Sequence, residues 1–336
     1  MRSVVPSKFL YVALRTRRRT LKAAAAIALA PLVTSAAAQA PAPQTIRFVV
    51  PFTPGSGTDI VARAVAEAMS KSMGQTIIVE NRPGAGGTIA AAAVARSEAD
   101  GNTVLIPSSG HALNPAIYSN LGYDTLKDLA GVTPLAALAN VLVVNPARGW
   151  KTVADLVSAA KAAPGKFNYA SAGNGSATHL NAEKFRMQAG ISAVHVAFKG
   201  TPEALTEIIA GRLDWFFAPM VSALPMINDN RLLPLAVSTA KRSASLPQVP
   251  TTLEAGIAGS DYTFWVGMIV PAKTPRAIVS RLHEEALKAM ASSEVIERLG
   301  KAGAEPFTMS SDAFDAFIKS ELETASKIAI AANLKI

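Results

Sequence analysis

Short runs rich in β-branched residues alternate along this chain with stretches whose apolar positions recur every three or four residues. Ile46-Arg47-Phe48-Val49-Val50, Thr76-Ile77-Ile78-Val79, Thr103-Val104-Leu105-Ile106 and Val141-Leu142-Val143-Val144 predict strands. After the first of them, Ile60, Val61, Ala64, Val65, Ala68 and Met69 mark one face of a helix, with Arg63, Glu67 and Lys71 opposite. Val153 to Ala163 reads as another helix, stopped by Pro164-Gly165. The second half repeats this grammar. Phe167-Asn168-Tyr169-Ala170 precedes a helix beginning near His179, and Ala193 to Ala197 precedes one over Glu203 to Ala210. Leu213 to Phe217, Leu233 to Ser238 and Thr263 to Val270 read as further strands, followed by two tail helices at about Arg276–Ala291 and Ser311–Ala332. Strand and helix in alternation predict an α/β fold of parallel sheets with crossover helices.

The turns between these elements carry the candidate chemistry. Pro51-Phe52-Thr53-Pro54-Gly55-Ser56-Gly57-Thr58-Asp59 and Glu80-Asn81-Arg82-Pro83-Gly84-Ala85-Gly86-Gly87-Thr88 each follow a strand and open a helix. Such a junction aims unpaired backbone N–H groups, and the positive end of the helix dipole, at one spot that suits an anion. Gly55, Gly57, Gly86 and Gly87 allow close backbone approach, while Ser56, Thr58, Ser171 and Thr178 add short hydroxyls. For Asp59, stabilisation of the helix's own first turn outweighs direct ligand contact. Phe52 and Trp265 either wall a cleft or pack in a core.

The formal net charge of +9 changes meaning once located. Arg2, Lys8, Arg15, Arg17, Arg18, Arg19 and Lys22 lie within residues 1–40, which contain no acid, leaving an excess of two elsewhere. The charge therefore gives no reason to expect a nucleic-acid partner. A basic start, the apolar stretch Ala23–Leu32 and Ala38-Gln39-Ala40 have the parts of a cleaved export signal. Arg17-Arg18-Arg19-Thr20-Leu21-Lys22 resembles a twin-arginine motif, and an ordinary Sec signal fits as well. The remaining chain of about 300 residues accommodates two domains.

Several chemistries fail on spacing. No Lys follows Gly57 as a phosphate loop requires, and Ile60 stands where a dinucleotide fingerprint needs its third glycine. No G-x-S-x-G occurs, and Ser158-Ala159-Ala160-Lys161 lies mid-helix. Absence of cysteine removes disulfides and thiolate sites. His111, His179, His195 and His283 have no metal spacing: the first two lie in site-forming turns, His195 reads as core and His283 as helix surface. No catalytic residue, metal or cofactor is expected.

Together, Ile46 to Phe52 with Pro54-Gly55 and Thr58-Asp59, and Val79 to Gly87, resemble the signature of the TctC/Bug family of tripartite tricarboxylate transporter substrate-binding proteins. Asp100-Gly101-Asn102-Thr103, Ser171 with Gly173 to His179, Phe198-Lys199-Gly200, Thr251 to Gly256 and Pro271 to Pro275 agree in order. The resemblance implies a type II periplasmic binding protein: two Rossmann-like domains joined by two crossing strands, with the ligand cleft between them. The domains expected are 41–140 plus 265–336, and 141–264, after a signal at 1–40. The carboxylate grip would fall to Phe52, Thr53, Pro54, Gly55, Ser56, Gly57, Thr58 and Asp59, and to Ala85, Gly86, Gly87 and Thr88. Ser108 and Ser109 would be neighbours. Ser171, Asn174, Thr178 and His179 would face them, beside Lys199, Gly200 and Thr201. One departure bears on the ligand: relatives often carry an Asp where this chain has Ala218-Pro219-Met220. The expectation is a periplasmic monomer that captures a small non-amino mono- or dicarboxylate and passes it to membrane transporter subunits. The alternatives are a two-component sensory receptor and an exported enzyme on the same frame.

Overall fold

The computed structural model describes residues 44–335. The expected export signal and cleavage site fall outside the described residues. Eleven described strands fall into two sheets. The first half supplies β1 (Ile46–Val50), α1 (Gly57–Met73), β2 (Ile77–Asn81), α2 (Thr88–Ala95), β3 (Thr103–Leu105), α3 (Gly110–Ile117) and β4 (Leu129–Leu138). There follow β5 (Asn140–Val144), α4 (Val153–Ala162), β6 (Phe167–Ser171), α5 (Ala177–Ala189), β7 (Ala193–Ala197) and α6 (Thr201–Ile209). Then come β8 (Trp215–Pro219), α7 (Met220–Asn228), β9 (Leu233–Val237) and β10 (Phe264–Pro271). The chain ends with α8 (Arg276–Ala291), α9 (Ser293–Lys301), β11 (Ala304–Pro306) and α10 (Ser311–Ala331).

One sheet has the order β11-β4-β10-β3-β1-β2 and the other β7-β6-β8-β5-β9. Pairing is parallel within β2-β1-β3 and within β7-β6-β8. The expected all-parallel pattern needs correction, because β10 pairs antiparallel with β3 and β4, and β5 pairs antiparallel with β8 and β9. These pairings involve strands flanking the passage between sheets, and β11 adds a further antiparallel pairing with β4. β4 and β10 pair along their full lengths, with two register shifts.

The chain leaves the first sheet at Ala139 and returns through residues 238–263. Ser238, fully buried, stitches the two passages together. It donates its N–H to the Asn140 carbonyl (2.8 Å), and its Oγ accepts from Asn140 N (3.2 Å) and donates to the Tyr262 carbonyl (2.7 Å). This is the hinge position of a two-lobed binding protein.

Apolar side chains pack on both faces of each sheet, which is why most strands read as continuous apolar runs, and a further cluster of Leu113, Ile117, Leu180, Ala325 and Ala329 bridges the lobes. Trp265 belongs there, not at a cleft wall. It is 1% exposed, packs edge-to-face on Phe314 and Phe317, and donates Nε1–H to Glu321 Oε2 at 3.1 Å. His195 also departs from expectation: it is only half-buried, on the edge strand β7. No described helix is long and apolar enough to cross a membrane.

Candidate functional site: an anion-seeking cleft between two lobes

Helix N-termini from both lobes meet in one small cavity. The first lobe brings Ser56, Gly57 and Thr58 at the start of α1, with Phe52 and Ser108. The second brings Ser176, Ala177 and Thr178 at the start of α5, Thr201 at the start of α6, and Ala172 and Pro219. Phe264 completes the wall. No lining residue carries an ionised side chain. The N–H groups of a helix's first turn have no intrahelical acceptor, so α1 and α5 both present donors and positive dipole ends to this space.

Local rules are followed in the second jaw and broken in the first. Ser176 is an ordinary N-cap, its Oγ accepting from His179 N at 3.2 Å. Ser56 has N-cap backbone angles, φ −68° and ψ 154°, yet makes no cap bond. Its hydroxyl instead accepts from Thr201 N across the cleft, at 3.1 Å. Asp59 anchors the same turn from behind, its carboxylate accepting from Gly55 N (2.9 Å), Arg63 Nε (2.9 Å) and Asn81 Nδ2 (2.8 Å). With those bonds made, Asp59 shapes the turn and is not among the residues lining the cavity.

Further contacts hold the jaws together. Thr53 Oγ1 donates to Glu203 Oε2 (3.0 Å), Ser222 Oγ to the Gly55 carbonyl (3.0 Å), and Tyr118 OH to the Asn174 carbonyl (2.9 Å). Glycines make this approach possible. A Cβ on Gly86, at φ +58°, would lie 1.9 Å from Asn174 O, and one on Gly200 1.9 Å from Thr53 Oγ1. So close a fit leaves about 10 Å³ in the cavity, room for one water. A larger occupant requires the lobes to part.

The structure sorts the sequence-derived residues. Phe52, Ser56, Gly57, Thr58, Ser108, Thr178 and Thr201 line the cavity. Ala85, Gly86, Gly87 and Thr88 form the second turn, whose Gly86 packs on Asn174. Thr53, Gly55 and Gly200 sit at the jaw contact, where Gly55 faces Pro202, whereas Pro54 is exposed. Ser109 bonds Tyr262 OH at 2.8 Å, and Lys199 is exposed.

Ser171 and His179 stand behind the cavity in a buried network. Ser171 Oγ bonds His195 Nε2 at 2.6 Å and accepts from Gly173 N at 3.0 Å. His179 Nδ1 accepts from Gly175 N at 3.3 Å, and its ring stacks on His195 with centroids 4.0 Å apart. Burial pushes the His179 imidazole down to about 4, and burial together with His179 pushes His195 to about 3. Both rings are therefore neutral at pH 7 and serve as rigid support for the second jaw. Sequence reading missed Ser176, Ala177, Ala172, Pro219 and Phe264. Ser176 left a signal as a Ser one residue ahead of a helical pattern, and Pro219 as part of the Ala218-Pro219-Met220 departure.

Comparison with known proteins agrees with this geometry. The Rhodopseudomonas palustris protein Rpa4515, solved with adipate, superposes with a TM-score of 0.84 at 33% identity, covering 87% of this chain and 98% of that one. MatC from Rhodopseudomonas palustris, solved with bound malate, gives 0.81 at 29%, covering 84% and 98%. A UPF0065 protein encoded in the tcbD-tcbE intergenic region of Pseudomonas sp. strain P51 is 36% identical over 318 residues, 94% of each chain. The profile described as tripartite tricarboxylate transporter family receptor matches residues 61–334. With helix N-termini converging on a hinged, uncharged cleft and a match over most of its length, the chain belongs to the tripartite tricarboxylate transporter receptor family, the TctC/Bug solute-binding proteins.

Proposed function

We propose that this protein captures a small non-amino carboxylate, a dicarboxylate of the adipate or malate type, in the periplasm and presents it to a membrane transporter of the tripartite tricarboxylate kind. The observation that carries the reading is the pair of helix N-termini, Gly57-Thr58 and Ala177-Thr178, aimed into one cavity with no ionised lining residue. Backbone N–H groups and hydroxyls complement a carboxylate without a charged clamp. The lining at Pro219 offers no acid for a ligand ammonium, which would be buried unpaired at high cost. The jaws are the lobes either side of the passages near Asn140 and Phe264. A ligand drives their closure by its greater affinity for the closed form. The similar structures holding adipate and malate support the ligand class.

Isothermal titration of the purified protein with adipate, malate and 2-aminoadipate tests this. Adipate or malate should bind with 2-aminoadipate at least tenfold weaker than adipate. Tight binding of 2-aminoadipate with none of adipate would overturn the non-amino assignment.

A further inference from the structure

A second, larger cavity of about 360 Å³ lies in the first lobe behind α3, away from the cleft. Its walls are formed mainly by His111, Thr125, Leu126, Leu129, Ile269 and Ile318, drawn from α3, β4, β10, α10 and the 118–128 segment. The chemistry of these walls is unusual for a gap left by imperfect packing. His111 Nε2 and Thr125 Oγ1 are both buried, and His111 Nε2 has no hydrogen-bond partner among the described residues. Asn114 is not on this wall, and it and Thr125 interact with the Tyr123 hydroxyl, so His111 Nε2 is the buried polar atom left facing the cavity. Tyr123 stacks parallel to His111, with centroids 6.3 Å apart. Buried polar atoms in native proteins are paired in the great majority of cases, so the unpaired His111 Nε2 at this cavity asks for a missing partner. Beyond these polar groups the inner wall is mostly aliphatic, offering water few partners, while the charged Asp315 and Lys319 stand at its exposed side.

We infer that this cavity is a second binding site, for a small uncharged molecule with an apolar body and a hydroxyl head directed at His111. A hydroxyl both donates and accepts, so it matches an imidazole nitrogen of either tautomer. A charged head is disfavoured at that depth, because neither His111 nor Thr125 is ionised and an unpaired buried charge is costly. Burial holds the His111 imidazole neutral, its pKa pushed down to about 4. Asp315 and Lys319, also on the wall, bring one charge of each sign. Asp315 is already engaged, accepting from Gly131 N at 2.7 Å. The volume suits a single substituted ring.

Phenol serves as the probe, with benzoate as its charged counterpart, each titrated into the full protein by calorimetry and ligand-observed NMR. Ala316 lies on the cavity wall at an exposed position of α10, so Ala316→Trp obstructs the cavity without burying new groups in the core. Phenol should bind saturably to the wild type, at least tenfold more tightly than benzoate, and at least tenfold more weakly to Ala316→Trp. Thermal unfolding and adipate titration of Ala316→Trp should match the wild type, which separates this cavity from the cleft. Absence of saturable phenol binding, equal binding by the variant, or benzoate binding as tightly as phenol would each overturn the assignment.

Discussion

Gly86 holds φ +58° with its α-carbon facing the Asn174 carbonyl, so an added side chain is penalised twice, by backbone strain and by collision between the jaws. Gly86→Val should weaken adipate binding at least tenfold, or by about 1.4 kcal/mol, in calorimetric titration. Its thermal unfolding should stay cooperative, since the turn is outside both lobe cores. Unchanged affinity would remove this turn from the closing surface. The histidines predict a pH effect of definite sign. His179 and His195 have folded pKa values near 4 and 3, below the ordinary 6.5. The unfolded chain therefore binds more protons as pH falls through 6.5. Their stabilising contribution is complete above that value and is lost progressively toward pH 4, at up to about 1.4 kcal/mol per pH unit for each histidine. Urea unfolding at pH 7, 6 and 5 should show the decline, and His195→Phe should make it shallower while His179 and His111, both near 4, keep part of it. A wild-type stability that stays level over this range would contradict the buried-neutral assignment.

The elements that sequence pattern made legible are those with a clean period or a strong cap. α8 spans the expected Arg276–Ala291, and α1 follows its apolar stripe. β4 escaped because Gly131 and Pro134 interrupt it and alanines dilute it, features that ordinarily argue against a strand. α7 carries Pro225 in its interior, and α9 and β11 are short. The expected strand at 213–217 runs instead from Trp215 to Pro219. That shift brings Pro219 to the cleft, a placement invisible to propensity. Ser238 likewise looks like an ordinary strand end in sequence, but its hydroxyl joins the two inter-lobe passages. Ser238→Ala should cost about 1–3 kcal/mol in urea unfolding, the price of leaving buried Asn140 and Tyr262 groups without a partner. A change below about 0.5 kcal/mol would mean the backbone bonds alone secure the hinge.

At the scale of the whole molecule, two lobes meet through glycine turns, two linking passages and a buried apolar seam in which Leu180 packs with Leu113, Ile117, Ala325 and Ala329. Parting of the lobes would therefore expose this seam as well as the small cavity. The second cavity lies within one lobe, so its occupancy and the cleft's can be read separately. The sequence by itself determined the α/β alternation, the two glycine turns at strand–helix junctions, the lack of nucleotide-loop and G-x-S-x-G spacings, and the family resemblance. These are properties of consecutive residues: period, turn chemistry and motif spacing. Tertiary structure alone decided that Ser56 reaches across to Thr201 instead of capping its own helix, that Ser176 and Pro219 wall the cavity, and that Trp265 is core. It also stacked His179 on His195 and gathered His111 and Thr125 at one cavity. Each of these depends on which segments the sheets bring together, and residues far apart in the chain carry no local record of that meeting.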